Sequence, residues 1–235
     1  MRIGGILDIS TIDFPGKLCS VVFLTGCPFR CPYCHNHQLI NSEGNRVSPK
    51  DIASELSKNY LIDGVCITGG EPTMQSDLPD LVKEIKNLGL CVKVDTNGYY
   101  PENLEFLLDY VDYVAVDFKT SPQKYGDLTG REDAWTKVRR SLEILGFSGV
   151  EWEIRTTVVP GIVWKDEVYK IHSAIEDLGL KPSRIVLQQF NNENPLKQSL
   201  RSINPPSKQE ILELAKMFGN RSGIYVRCSE GEFEV

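Results

Sequence analysis

The chain has 235 residues, of which 41% are hydrophobic and 25% are charged, and its formal net charge at pH 7 is −6. This length suffices for one large buried core, and the composition excludes intrinsic disorder and fibrous repeats. Lysine and arginine are interspersed with acidic residues, so we expect no nucleic-acid partner. No uncharged apolar stretch approaches the roughly 18 residues of a membrane span, and the first residues lack a signal-peptide core. We therefore expect no membrane partner and a cytoplasmic location.

Short runs rich in β-branched and aromatic residues predict strands along the chain. The segments between them carry apolar residues at helical spacing. Ser48 followed by Pro49 is a typical helix start, and Ser207 with Glu210 three residues later predicts a capping box. The predicted strands are residues 20–24, 64–68, 90–96, 113–118, 150–159 and 184–190, with a weaker seventh at 223–228.

Strands that alternate with helices predict an α/β fold with a mostly parallel sheet. A complete eight-unit barrel needs about 250 residues, and the chain offers six clear units. We therefore predict a partial (β/α)6 TIM-like barrel, with an open doubly wound sheet as the alternative. We expect one domain over residues 1–235, with its core at about 18–190 and a C-terminal extension at 191–235.

Polar motifs follow four of the predicted strands directly. A cysteine-rich loop follows the first, "GGEP" at 69–72 follows the second, "DTNG" at 95–98 ends the third and "DFK" at 117–119 ends the fourth. In barrel folds the functional residues gather at the C-terminal ends of the strands. We therefore expect these four motifs to meet at one rim.

The loop "TGCPFRCPYCHNHQ" holds Cys27, Cys31 and Cys34 within eight residues. Reduced thiolates at such spacing select zinc or iron–sulfur centres. Zinc would need a fourth ligand, for which His35 and His37 are the nearest candidates, whereas three cysteines on a 4Fe–4S cluster leave one iron open. Structural cysteines without a ligand are the third reading. The other strand cysteines, Cys19, Cys66 and Cys91, are predicted to pack as small hydrophobes.

The run "CPFRCPYC" resembles the C-x3-C-x-aromatic-C signature of the radical S-adenosylmethionine (SAM) superfamily, and "ITGGEP" follows the next strand as it does there. Further along, "VDTNG", "VDFK" and "IRTTVVPG" appear in the order and spacing of the activating enzymes of glycyl-radical proteins. The opening segment "GGILDISTIDFPGK" resembles most closely the activating protein of anaerobic ribonucleoside-triphosphate reductase. The match runs from about residue 10 to residue 161, and more loosely to residue 189.

This resemblance implies a radical SAM oxidoreductase that reductively cleaves S-adenosylmethionine at a 4Fe–4S cluster to a 5′-deoxyadenosyl radical. The implied partners are a large glycyl-radical protein, whose glycine Cα gives up hydrogen, and an external electron donor such as flavodoxin or ferredoxin. One alternative is a radical SAM enzyme that acts on a small molecule or another protein. A second alternative, from another class, is a non-catalytic binding module stabilised by zinc.

The resemblance also implies roles for individual residues. Cys27, Cys31 and Cys34 would be the cluster ligands and thus catalytic. In some members of the family, the residues that correspond to Asp95, Thr96 and Asp117 surround a bound monovalent cation. The residues implied to bind the cofactor are Tyr33, His35, Gly69, Gly70, Glu71, Asp95, Thr96, Asp117, Lys119, Arg155 and Asn191.

Four of these implied positions carry more specific expectations. Tyr33 is expected against the adenine, and Glu71 at the amino group of S-adenosylmethionine. Arg155 would bind either the cofactor or a structural acid, Glu153 or Glu151. Asn191 stands where pyruvate formate-lyase activating enzymes place a histidine, which is a departure from that subgroup.

Asp13 lies before "FPG", in a segment that approaches the partner's glycyl loop in the activating enzymes. A residue that simply forms the turn is the alternative for this position.

Overall fold

The computed structural model describes residues 1–219 and 221–235. Within those residues one sheet contains ten strands: β1 (Arg2–Ser10), β2 (Cys19–Leu24), β3 (Asn45–Arg46), β4 (Gly64–Gly69), β5 (Cys91–Thr96), β6 (Tyr113–Asp117), β7 (Glu151–Val158), β8 (Arg184–Gln189), β9 (Ile224–Cys228) and β10 (Gly231–Glu234). The α-helices of the same residues are α1 (Pro49–Leu56), α2 (Leu78–Asn87), α3 (Pro101–Leu107), α4 (Tyr125–Thr129), α5 (Ala134–Phe147), α6 (Lys165–Asp177) and α7 (Lys208–Ala215).

The strand order is β10-β9-β8-β7-β6-β5-β4-β2-β1-β3. Every neighbouring pair from β2 to β9 is parallel, whereas β1, β3 and β10 pair in antiparallel fashion. The parallel strands follow one another in chain order, so right-handed crossovers place their helices on one face of the sheet. This order confirms the α/β fold with a mostly parallel, barrel-like sheet. The doubly wound alternative is wrong, because it requires a reversal of strand order that the described chain does not contain.

The six predicted strands and the weaker seventh are all present, with ends within about two residues of the prediction. The seventh, β9, extends the parallel sheet beside β8, so the parallel part has seven strands rather than six. Both β9 and β10 come from the predicted C-terminal extension. The antiparallel strands β1, β3 and β10 were not predicted.

The sheet separates two groups of buried side chains. The larger group lies between the outer face of the strands and the helices, and includes Val22, Ile67 and Leu142. The smaller group comes from the first residues of several strands and from the loop after β1, and so fills the inside of the barrel at its N-terminal end. Its members are Phe14, Cys19, Val21, Cys66 and Tyr113, with Phe23 and Cys91 packed against them.

The packing of Cys19 and Cys66 confirms that these thiols are core residues. The N-terminal end of the barrel is therefore closed by side chains, and the free end is the one at which the parallel strands terminate. None of the helices in the described residues is long and apolar enough to cross a membrane.

Candidate active site

A cavity of about 390 Å³ lies at the C-terminal ends of the parallel strands. It brings together residues from the cysteine loop and from the ends of β4, β5, β6, β7 and β8. One cofactor residue implied by the sequence, Glu71, does not line it. Those that do are Cys27, Cys31, Cys34, Tyr33, His35, Gly69, Gly70, Asp95, Thr96, Asp117, Lys119, Arg155 and Asn191.

The cysteine loop is held by hydrogen bonds from distant parts of the chain. The Arg30 amide donates to the carbonyl of Thr129 at the end of α4 (2.8 Å), and the Arg30 guanidinium donates to the Cys27 carbonyl (2.8 Å). On the other side, the Lys197 amide donates to the Pro32 carbonyl (2.8 Å). These bonds support the shape of the loop from two sides, as a preorganised binding site requires.

All three loop cysteines are free thiols that face the cavity. Burial raises the pKa of Cys27 to about 12 and that of Cys31 to about 11, and it also raises the pKa of Cys34. The ammonium of Lys119 opposes this rise at each thiol without cancelling it. The thiols are therefore protonated at neutral pH, and binding of a metal centre as thiolates would release their protons.

Tyr33 ties the cysteine loop to the end of β6. Its ring is buried, and its hydroxyl donates to the carbonyl of Lys119 (3.1 Å). The Lys119 amide in turn donates to the hydroxyl of Tyr125 (3.0 Å). These bonds fix the position of Lys119 relative to the cysteines, while a role for Tyr33 at the adenine stays a prediction.

Charged side chains on three adjacent strands form a network on one wall of the cavity. Arg155 Nη1 lies 2.8 Å from Asp95 Oδ2, and Arg155 Nε lies 3.2 Å from Asp117 Oδ1. Lys119 Nζ lies 2.8 Å from Asp117 Oδ2, and Lys93 bonds the remaining Asp95 oxygen from below the cavity. The partners of Arg155 are thus the two aspartates. The expectation of Glu153 or Glu151 as its structural partner is wrong.

The cations decide the protonation states in this network. Burial raises the pKa of Asp95, but Arg155 and Lys93 outweigh it and hold that pKa at about 2. Burial likewise raises the pKa of Asp117, and attraction to Lys119 and Arg155 lowers it overall. Both carboxylates are therefore ionised at neutral pH, and Lys119 and Arg155 present their positive charge to the cavity.

The carboxylate of Glu71 is buried, does not line the cavity, and joins the ends of β4 and β5. Its carboxylate accepts hydrogen bonds from the Thr73 amide (3.1 Å), the Thr96 hydroxyl (2.6 Å) and the Asn97 amide (2.6 Å). Burial raises the pKa of this carboxyl group, and the hydrogen bonds from Thr73, Thr96 and Asn97 oppose the rise. In this arrangement Glu71 positions the "DTNG" segment, and its contact with the cofactor stays a prediction.

The two glycines before Glu71 are required by the packing of the protein itself. Gly69 has a φ of +119°, and a Cβ there would lie 2.3 Å from the Leu24 carbonyl oxygen. A Cβ on Gly70 would lie 2.1 Å from the Gly26 carbonyl oxygen. The close approach that a glycine pair permits is therefore made to the backbone of the cysteine loop, which brings "GGEP" and the cysteines together.

A sequence profile described as the radical SAM superfamily matches residues 21–172, more than half of the chain. The chain belongs to the radical SAM superfamily. A Methanocaldococcus jannaschii protein, named provisionally as a glycyl-radical enzyme activating enzyme, is 32% identical over 99% of this chain and 98% of its own length. The pyruvate formate-lyase 1-activating enzyme of Escherichia coli K12 is 28% identical over 92% of this chain and 93% of its own.

A solved structure shares the fold of this radical SAM chain. It is the structure of TYW1 with a lysine-pyruvate adduct bound. The TM-score is 0.67 at 20% sequence identity, and the match covers 90% of this chain and 76% of that one. At this identity the likeness supports the partial barrel and nothing more specific.

Similarity to activating enzymes along almost the whole chain makes this a radical SAM enzyme of the glycyl-radical-activating type. That membership excludes the non-catalytic zinc-stabilised module. The cofactors of the family are a 4Fe–4S cluster and S-adenosylmethionine. Three free thiols facing one cavity fit a cluster that leaves one iron open, and Cys27, Cys31 and Cys34 would hold it. The cavity volume is in the range of small-molecule sites, and the cations on its wall suit the carboxylate of S-adenosylmethionine.

The monovalent cation implied for some members does not fit this site. Each oxygen of Asp95 and of Asp117 already bonds a protein cation. A monovalent cation could therefore bind these carboxylates only by displacing Lys93, Arg155 or Lys119 from one of their oxygens.

Sequence reasoning missed several residues of the radical SAM cavity. Asn97 lines it with its amide nitrogen 3.6 Å from Cys27 Sγ, and Thr157, Gln188 and Arg227 form its far wall. Thr157 pairs with Gln188 and Gln188 with Arg227 in the sheet. The two-residue spacing from Arg155 to Thr157 was a usable signal, because alternate residues of a strand share a face.

Proposed function

We propose that this radical SAM enzyme installs a glycyl radical on a large partner protein, and that the partner is anaerobic ribonucleoside-triphosphate reductase. The observation that carries the activating role is the similarity to activating enzymes over nearly the full length of the chain. The choice of partner rests on the opening segment at residues 4–17, which resembles the reductase-activating group.

Cys27, Cys31 and Cys34 would hold the 4Fe–4S cluster, which in its reduced form would supply the electron for cleavage of bound S-adenosylmethionine. The chain contributes the three thiolates, a positively charged wall at Lys119 and Arg155, and aromatic side chains at Phe29 and Phe190 that exclude water. Its task is to orient the cofactor and to shield the reactive species, while the difficult chemistry belongs to the cofactor.

The access route supports a macromolecular substrate. In the described residues the sheet ends in β3 on one side and β10 on the other, and these strands do not pair with each other. The barrel is thus open along one side, where an extended loop can enter. Asp13 lines the cavity from the loop after β1, and its carboxylate accepts a bond from the Ser10 hydroxyl (2.6 Å). We propose that this loop faces the partner's glycyl segment.

The direct test uses anaerobically reconstituted protein with S-adenosylmethionine, reduced flavodoxin or ferredoxin as electron donor, and the host's anaerobic ribonucleotide reductase. Electron paramagnetic resonance should then detect a glycyl doublet, which should be absent with a Cys31→Ala activating enzyme. A doublet on pyruvate formate-lyase alone would move the assignment to that partner. Formation of 5′-deoxyadenosine without any protein radical would favour a small-molecule substrate instead. A cytoplasmic location, where thiols stay reduced, is part of the proposal.

A further inference from the structure

Lys93 is a buried lysine inside the barrel that the proposed function does not use. Its side chain is 1% exposed and comes from the middle of β5. It does not line the cavity, but lies between the cavity floor at Asp95 and the closed end of the barrel at Cys66, whose Sγ is 3.7 Å from Lys93 Nζ. Burial of a charge at this depth is costly unless an opposite charge pairs with it.

The partner of Lys93 is Asp95, to which it donates directly. Burial lowers the pKa of Lys93, but Asp95, Cys66 and Glu153 together raise it above its usual value, so the ammonium stays charged. The other charged groups that face Lys93 are Arg155, which repels it, and Glu153, which attracts it. Lys93 is therefore a permanent cation beneath the cofactor wall.

With Lys93 in place, every carboxylate oxygen of Asp95 and Asp117 bonds a positively charged side chain. It bonds Asp95 Oδ1, Arg155 bonds Asp95 Oδ2 at 2.8 Å, and Asp117 is shared between Arg155 (3.2 Å) and Lys119 (2.8 Å). Without Lys93, Asp95 Oδ1 would lose the one cationic partner that the described residues give it. A small monovalent cation would then be attracted to that oxygen, since it could supply the missing charge.

We propose that Lys93 is a built-in cation in place of the monovalent cation that the resemblance implies for some members of the family, and that it is a positioning residue for cofactor binding. By fixing Asp95 it fixes Arg155, which reaches the cavity. The enzyme then binds S-adenosylmethionine with no requirement for potassium or sodium. This inference rests on the radical SAM site alone and not on the identity of the partner protein.

The test compares wild-type protein with Lys93→Met in two buffers of equal ionic strength, one with potassium chloride and one with choline chloride. Binding of S-adenosylmethionine to the anaerobically reconstituted enzyme is measured by equilibrium dialysis. The wild-type Kd should be the same in both salts. In choline, the Kd of Lys93→Met for S-adenosylmethionine should be about tenfold or more above the wild-type Kd, because Asp95 has lost its cationic partner. Potassium or ammonium ions should restore most of that loss.

Lys86→Met is the matched control. Lys86 also pairs with an aspartate, Asp112 at 2.8 Å, but on the outer surface. Its removal should leave the Kd unchanged in both salts. A purely structural role for Lys93 would weaken binding equally in both salts, so rescue by potassium separates the two explanations. Equal weakening would overturn the proposal.

A second measurement does not need the cofactors. Thermal unfolding of the cluster-free chain should show a rise in Tm with potassium over choline for Lys93→Met and none for the wild-type protein. If Lys93→Met does not fold, Lys93→Gln, which keeps a donor but no charge, takes its place. Loss of wild-type cofactor affinity in choline would overturn the proposal, since the enzyme would then need an external cation after all.

Discussion

At the scale of single residues, a substitution of Cys31 can test cluster binding without disturbing the packing of the core. Its side chain is 5% exposed and belongs to the main hydrophobic core, where a thiol packs like a small apolar side chain. We predict that Cys31→Ala leaves the fold intact and removes a cluster ligand. Iron content and absorbance near ~400 nm should fall sharply after anaerobic reconstitution, and 5′-deoxyadenosine formation should cease.

Cys91→Ala is the control for this prediction. Cys91 is a free thiol at the start of β5, away from the cavity, and packs against the closed end of the barrel. This variant should keep its iron and its activity. Continued cofactor cleavage by Cys31→Ala would show that Cys31 is not a cluster ligand.

The sequence pointed to most of the charged wall because strand alternation and motif position place Asp117, Lys119 and Arg155 at one rim. It did not identify Lys93. Lys93 stands two residues before Asp95 on β5, so strand alternation places the two on one face, but Lys93 lies deeper than the rim at which the motifs were expected to meet. The sequence assigned Glu71 to the cofactor, which stays a prediction, but it did not foresee that this carboxylate bonds the turns after β4 and β5, because those bonds depend on how the two strands end side by side.

At the scale of elements, Glu71 joins the turn after β4 to the turn after β5. We predict that Glu71→Gln destabilises the cluster-free protein by about 1–3 kcal/mol, because an amide NH₂ group would face the Asn97 or Thr73 donors and leave one unpaired. Urea unfolding measures this loss. Glu102→Gln on the exposed face of α3 is the control and should have little effect. Unchanged stability with lost cofactor binding would instead assign Glu71 to the cofactor.

Helices and strands with a clear signal in their own residues were predicted, whereas strands that form only through hydrogen bonds to a neighbouring strand were not. Ser48 and Ser207 cap α1 and α7 as expected, since these signals lie within a few residues of the chain. By contrast, β1 has a glycine pair and mostly exposed or half-buried side chains, and β10 is mostly exposed. Such exposed strands near the ends of the sheet take their register from hydrogen bonds to a neighbour, which no apolar pattern records.

At the scale of the whole molecule, the last 45 residues are integrated with the rest. Strand β9 pairs with β8, and the Lys197 and Leu196 amides bond the cysteine loop at Pro32 and Cys34 (2.8 and 3.2 Å). The prediction of a core ending near residue 190 followed the end of the motif match. The motif match ends where the shared cofactor-binding residues end, whereas the boundary of the folded domain depends on packing, which continues beyond residue 190.

We therefore predict that a chain ending at Phe190 does not fold cooperatively. It would lose buried apolar side chains that contribute about 1.5–3 kcal/mol each, among them Ile211, Leu214 and Ile224, and their sum approaches the 5–15 kcal/mol stability of a typical domain. Urea unfolding followed by circular dichroism should show no sharp transition. A chain ending at Cys228, which lacks only the exposed β10, should keep one with a lower midpoint. A cooperative transition in the shorter chain would mean that residues up to 190 form an autonomous core, and the anchors on the cysteine loop would then matter for the cofactor and not for the fold.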